Sequence, residues 1–464
     1  MSNQLQTPRI HNVIASPVGR LFHSRLFERF KIASVDREFT VLRARAAADV
    51  AGTDVEQFLQ ELDAPDTVDE DLLESIEHAL TSHQQARNRF ERLSDEWNQL
   101  FWKGQKSTIE ERNELETKRR DAGGDWVSPQ KPFKFLSKTK WVDIVDFAIP
   151  DPSSTVEEWS ELSPETVYGP PESSPDIQVS ETMQGPGTRE YLLRFPSPSN
   201  FIDDEAYARV YEPWDAPGDE PLPTIIFGTG LAMACDVMEY WTEEEYVGRQ
   251  LAPQGYRVIL PIPPWHGRRE QTGFYTGEPY LARMPVSAVE LYEAQTKEIA
   301  LLTRWARDHN ASRVGVGGIS MGGIVAMFVA GHADTWPELM QPDFALPVAA
   351  SADVSELLFE SSLTEILGVT DALLRAGWDR GKMANLDNVL TAPSTSGIAS
   401  DEIYPVGGLI DDMTKYETLR ETLDKWNVPQ ENRLEWDCGH FGVTLRAMRT
   451  AEFQDFVRLA LDGQ

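Results

Sequence analysis

The chain holds two cysteines in 464 residues, Cys235 and Cys438, and neither belongs to a C-x-x-C pair. Two thiols cannot make a disulfide framework, and without paired spacing a structural zinc site is not expected either. A reducing compartment follows, and the cytoplasm is the expected location. Basic charge is also scarce: 43 Lys and Arg stand against 75 Asp and Glu, giving a formal charge of -32 and a pI near 4.6. Such a surface repels nucleic acid and anionic membranes, so neither is an expected partner. Most of the cations are arginine, and an acidic, lysine-poor surface fits a salt-rich cytoplasm or an ordinary acidic protein equally. The opening "MSNQLQTPRIHNVIASPVGRLF" lacks the basic start and continuous apolar core of an export signal. Arg313 to Gly331 approaches the length of a membrane span, but its glycines gather around a central serine and no aromatic anchors flank it.

What is present is a globular balance, 41% hydrophobic and 25% charged, in a chain long enough for one large domain plus an appended region. Residues 1 to 150 read as a helical N-terminal region: Leu72, Ile76, Leu80, Phe90, Leu93, Trp97, Leu100 and Phe101 recur at spacings of three and four. That spacing lays an apolar stripe along an antiparallel helix pair turning near Gly104, which packs as a cap on the rest of the chain or binds a partner. Residues 151 to 176, rich in proline, serine and acid, read as a linker or surface loop. From 177 to 464, "REYLLRF", "AYARVYEP", "PTIIFGTG", "YRVILPIP" and "SRVGVGG" alternate with the helical "DVMEYWTEEEYVGRQLAPQG" and "SAVELYEAQTKEIALLTRWARDH". This order predicts an α/β fold with a mostly parallel central sheet covered by helices on both faces.

The glycine-rich run "RVGVGGISMGGIVAMFVAG" admits three mechanisms besides a membrane span. A dinucleotide fingerprint starting at Gly315-Val316-Gly317 would place its third glycine at Ser320, and no second strand carries Asp334. A phosphate loop would need a following Lys-Ser/Thr pair. The third, Gly318-Ile319-Ser320-Met321-Gly322, is a nucleophile elbow, in which a strand turns so sharply into a helix that only small neighbours fit beside the projecting serine. There the N–H of Met321 is placed to donate to an oxyanion.

A serine hydroxyl requires a base and the base an acid, in the chain order serine, acid, histidine. His332 lies at the far end of the elbow helix and cannot reach; His440, in "RLEWDCGHFGVTLRAM", follows a strand and precedes a helix, where a loop at the sheet's carboxyl edge belongs. For the acid, "EIYPVGGLIDDMTKYETL" offers Asp411, with Asp412 as the alternative and Asp353 a more distant one. The turn after "PTIIFG" offers a second oxyanion donor at Thr229. His266 reads as structural, Arg269 as a packing or substrate-orienting charge, and Cys438 as buried.

Together "GISMGGIVA", "PPWHGRRE", "FGTG" and "CGHFG" resemble the α/β-hydrolase superfamily, and within it the α/β-hydrolase domain-containing protein eighteen group, over residues 180 to 450. His266 stands where that group tends to carry tyrosine. The resemblance implies the α/β-hydrolase fold and acyl-ester hydrolysis, with Ser320, Asp411 and His440 as nucleophile, acid and base. Neither metal nor organic cofactor is implied. Residues 352 to 400 are long enough for a helical lid, whose leucines point to an apolar, lipid-like acyl ester. The competing expectation is a catalytically silent scaffold that binds a protein partner, or a second copy, through residues 1 to 150.

Overall fold

A computed structural model describes residues 25–127, 132–215, 220–234, 236–237, 243–447 and 450–463. Cys235, the opening segment through residue 24 and residues 238–242 of the "DVMEYWT" stretch lie outside the described residues.

Among the described residues ten strands form one sheet: β1 (Gln178–Val179), β2 (Met183–Gly185), β3 (Thr188–Pro196), β4 (Glu205–Pro213), β5 (Thr224–Gly228), β6 (Arg257–Ile262), β7 (Val314–Ile319), β8 (Phe344–Val348), β9 (Val406–Gly408) and β10 (Leu434–Trp436). Their spatial order is β1-β3-β4-β6-β5-β7-β8-β9-β10, with β2 paired to β3. Pairings are antiparallel from β1 through β4 to β6 and parallel from β6 through β5 to β10. The order reverses at β5, whose neighbours β6 and β7 both follow it in the chain; such a crevice gathers ligands at the strands' carboxyl ends.

The central strands are apolar on both faces because both are covered. In β5, Ile226 joins one core while Ile225 and Phe227 join the other; Ile259 and its neighbours Val258 and Leu260 divide likewise in β6. The first face is covered by the helices Val286–Asp308 and Met321–His332, the second by Glu243–Leu251 and Ala451–Asp462.

The N-terminal stripe is buried in three successive clusters along the helix Glu70–Trp102, about 50 Å long at 1.5 Å per residue. Ile76 and Leu80 pack with Phe58 and Leu136; Phe90 and Leu93 meet Ala234 and Val237; Trp97 and Phe101 meet Met183 and Leu192. The chain turns at Gly104, with φ +68°, into the helix Ile109–Val127. From that helix Glu116 and Arg119 enter a buried ion network with Arg209 of β4. Arg209 donates to Glu116 at 2.8 Å, to Asp236 at 2.7 Å and to Glu190 at 2.7 Å, and Arg268 also pairs with Asp236. Burial would raise these carboxyls, but the surrounding arginines win, holding Glu190 down to about 2 and Asp236 well below the carboxylate range. The helical region thus packs on the sheet as a cap.

Two expectations need correction. Residues 151–176 do not form a free linker. They make two short helices, Pro152–Trp159 and Pro164–Val167, and bury Trp159, Val167 and Tyr168 against the main core. The residues that looked like linker composition are caps: Asp151 accepts the N–H groups of Ser153 and Ser154, Ser163 that of Thr166, and a proline opens each first turn. The segment 352–400 is helical as expected, but Leu358, Leu367, Leu373, Leu386 and Leu390 are buried in the core, so they do not line an apolar pocket. A wholly apolar face on a short helix is better hidden beneath the insertion than presented to water.

Candidate active site

Strand β7 ends at Ile319, and the helix Met321–His332 begins two residues later. Ser320 alone makes the turn, at φ +56° and ψ -115°, a conformation that non-glycine residues adopt only when their surroundings force it. The force is visible. Ser320 N–H donates to Val348 O at 2.9 Å on one side, and Gly322 N–H donates to Thr229 O at 3.0 Å on the other. The glycines permit this crowding, since a Cβ on Gly322 would lie 2.4 Å from the carbonyl carbon of Gly228 and one on Gly318 would lie 2.5 Å from that of Gly322. No side chain fits between β5, β7 and the helix.

Three side chains converge at this edge of the sheet. Nε2 of His440 lies 3.0 Å from Ser320 Oγ, and its Nδ1 lies 2.8 Å from Asp411 Oδ2. They come from the ends of β7, β9 and β10, parallel strands that deliver their following loops to one rim. With the proton on Nδ1, His440 donates to Asp411 and presents a lone pair to the Ser320 hydroxyl. Asp411 is held in turn: its Oδ1 accepts the N–H groups of Met413 at 2.9 Å and Thr414 at 3.0 Å. Burial pushes this carboxyl up, but His440 and Thr414 together bring it below its ordinary value. Burial pushes the His440 ring down, and the adjacent Asp411 carboxylate overcomes it, leaving the ring above the ordinary 6.5.

The other candidates lie elsewhere. Asp412 is exposed and accepts from Ser362 Oγ at 3.0 Å. Asp353 caps the helix Val354–Glu360 through Glu356 N–H at 2.9 Å. His332 ends the elbow helix, stacked on Tyr168. Arg269 is committed to packing, donating to Asp204, Glu298 and the Ile262 carbonyl. Cys438 is buried, and that burial pushes its thiol up to about 12.

His266 is wholly buried beside the turn that follows β5. Its Nδ1 donates to Pro264 O at 2.8 Å, and its Nε2 accepts the N–H of Ala232 at 3.2 Å, a residue with φ +63°. Acceptance requires the neutral ring, and burial lowers its pKa to about 4. The same turn is tied by Thr276 Oγ1 donating to Met233 O at 3.1 Å and by Thr229 O to the elbow. The Thr229 hydroxyl is buried with no hydrogen-bond partner among the described residues. Met321 N–H heads the elbow helix, where the first turn has no intrahelical acceptors.

Two contacts escaped the sequence. Thr414 Oγ1 lies 2.9 Å from Asp411 Oδ2 and 2.8 Å from Ala349 O, its single proton shared between them. An aspartate in a turn commonly accepts the N–H two residues on, which marks Met413; the Thr414 hydroxyl carries no such signal. Glu28 touches the residues after His440 from the far end of the chain, and no sequence pattern pairs them.

No protein-family model matches the chain, and no curated protein matches its sequence. Among solved structures it is similar to an acetyl xylan esterase from Paenibacillus sp. R4, at 14% identity and a TM-score of 0.46, covering 68% of this chain and 96% of that one. It is also similar to an acylaminoacyl peptidase from Pyrococcus horikoshii, at 16% identity and 0.40, covering 62% and 48%. A third is prolyl oligopeptidase B from Galerina marginata, at 14% identity and 0.39, covering 60% and 37%. The chain thus spans less than half the length of either peptidase. Strand order, parallel pairing and the sharp strand-to-helix turn at Ser320 carry the assignment on their own: this is an α/β-hydrolase fold with a helical N-terminal region.

Proposed function

We propose that the chain is a serine hydrolase that cleaves carboxylic acyl esters through an acyl-enzyme on Ser320. The observation that supports this most is the unbroken hydrogen-bond chain from Ser320 Oγ through His440 to Asp411. The Ser320 oxygen bonds to the carbonyl carbon as its proton passes to Nε2 of His440. Asp411 stays ionised and holds the imidazolium by its Nδ1–H. The N–H of Met321 and an N–H of the Thr229 turn stabilise the oxyanion, helped by the positive end of the elbow helix. The intermediate collapses, the bond from carbon to the alcohol oxygen breaks, and His440 returns its proton to that oxygen. Water, deprotonated by His440, then bonds to the acyl carbon and releases the acid as Ser320 recovers its proton.

The helical insertion is the lid of this reading: Ser362 N–H donates to Asp412 O at 3.0 Å, which sets the insertion against the loop carrying the acid. With most of its leucines buried, partly buried side chains such as Leu357, Phe359, Leu363 and Ile366 are what it offers an apolar group. The competing reading is a silent scaffold. A fluorophosphonate probe separates them: wild type labels covalently and Ser320→Ala does not. Equal labelling of the two, or no labelling of wild type alongside no turnover across p-nitrophenyl esters of increasing chain length at low and high salt, overturns the hydrolase reading.

A further inference from the structure

The helix that carries His440 has an unusual cap. In the helix His440–Ala447 the first N–H groups have no intrahelical acceptors. Oε1 of Glu28 accepts the N–H of Phe441 at 3.1 Å, and its Oε2 accepts that of Gly442 at 3.0 Å. A cap ordinarily comes from the residue just before the helix. Here that residue is Gly439, which has no side chain to offer, and a Cβ on it would lie 2.6 Å from Cδ of Glu28. The glycine is therefore the space the carboxylate occupies. Glu28 belongs to the helix Arg25–Ala51, is 7% exposed, and reaches across 413 residues of sequence to Phe441.

The partners of this contact adjoin the proposed base itself. A backbone held by two charge-assisted hydrogen bonds immediately after His440 limits how far the imidazole can swing from Ser320. We infer that Glu28 is a positioning residue for His440, so that the helical N-terminal region completes the catalytic rim instead of merely covering the sheet. The inference rests on the hydrolase reading above.

Around His440 the charged groups are Asp411 and Asp412 from the acid loop and Glu28 from the N-terminal helix, with Thr414 Oγ1 3.2 Å from Nδ1 and Lys31 above the ring of Phe441. All three carboxylates favour the protonated ring. Neutralising Glu28 removes one of them and half of the clamp, since an amide keeps one acceptor oxygen and turns an N–H₂ toward the other donor.

The test compares full-length wild type with Glu28→Gln, following the rate of fluorophosphonate labelling of Ser320 against pH, with melting temperatures measured in parallel. Labelling needs the neutral base, so the rate rises through the His440 pKa. In Glu28→Gln the midpoint should move to lower pH and the plateau rate should fall about five- to tenfold, because a less firmly oriented base reaches the attack geometry less often. A lower melting temperature with midpoint and plateau unchanged means that Glu28 is only structural and overturns the inference; so does either readout staying at its wild-type value. Failure of wild type to label at Ser320 is a separate outcome, which removes the hydrolase reading and the inference with it.

Discussion

Asp411, not its neighbour Asp412, holds His440: Oδ2 of Asp411 lies 2.8 Å from Nδ1, while Asp412 points to Ser362 at the surface. The two carboxylates therefore differ in consequence although they are adjacent. Asp411→Asn should lower ester turnover by on the order of 10³- to 10⁴-fold, because an amide donor facing Nδ1 favours the wrong tautomer. Asp412→Asn should stay within about threefold, the size of a lost exposed charge. Steady-state kinetics on a p-nitrophenyl ester checks both; equal losses would reassign the acid.

His266 ties stability to pH. Its folded pKa of about 4 lies below the ordinary 6.5, so below pH 6.5 the unfolded chain binds more protons than the folded one. Stability contributed by the neutral ring is present above pH 6.5 and is lost as pH falls toward 4, by about 3 kcal/mol in all. The buried Glu270 and Glu278, both raised to about 7 by burial, act in the opposite sense and strengthen the fold as pH falls from 7 toward 4.5. Comparison with His266→Phe isolates the ring: between denaturant melts at pH 7 and pH 4.5, the change in stability should be more favourable to pH 4.5 in the variant than in wild type. An identical change in the two would mean that the ring is not held neutral.

The glycines around Ser320 should separate by what they touch. Gly322→Ala places a methyl 2.4 Å from the Gly228 carbonyl carbon, and should cost about 1–3 kcal/mol and displace Ser320. Gly230→Ala meets nothing nearer than Ser320 Cβ at 3.7 Å and should change stability by less than about 0.5 kcal/mol. Urea unfolding of the two variants decides, and equal costs would refute the close-packing argument.

Arg209 joins the N-terminal helices to the sheet. Arg209→Leu leaves Glu116, Glu190 and Asp236 buried with less compensation, and should destabilise by about 3–5 kcal/mol. Limited proteolysis should then cut the helices Glu70–Trp102 and Ile109–Val127 first. Wild-type resistance there would show that apolar packing alone holds them.

The elbow was legible because it is a local pattern, and so were the strand-end positions of Ser320 and His440. So was the stripe on the helix Glu70–Trp102, every buried member of which recurs at helical spacing. The choice between Asp411 and Asp412 was not legible, since adjacent residues in a turn point in different directions and only the amides of Met413 and Thr414 select one. Residues 151–176 were misread because proline, serine and aspartate are the vocabulary of caps as well as of linkers; Trp159 and Tyr168 were the apolar signal that separates the two.

By itself the order of residues determined where strands, helices and the strained turn at Ser320 arise, because propensity, periodicity and glycine's small size act between near neighbours. Only tertiary structure decided which carboxylate meets His440, that His266 braces the turn at Ala232, and that Glu28 caps a helix hundreds of residues away. Those contacts arise from the three-dimensional convergence of parallel strand ends and a packed N-terminal helix, a proximity that no spacing along the chain encodes.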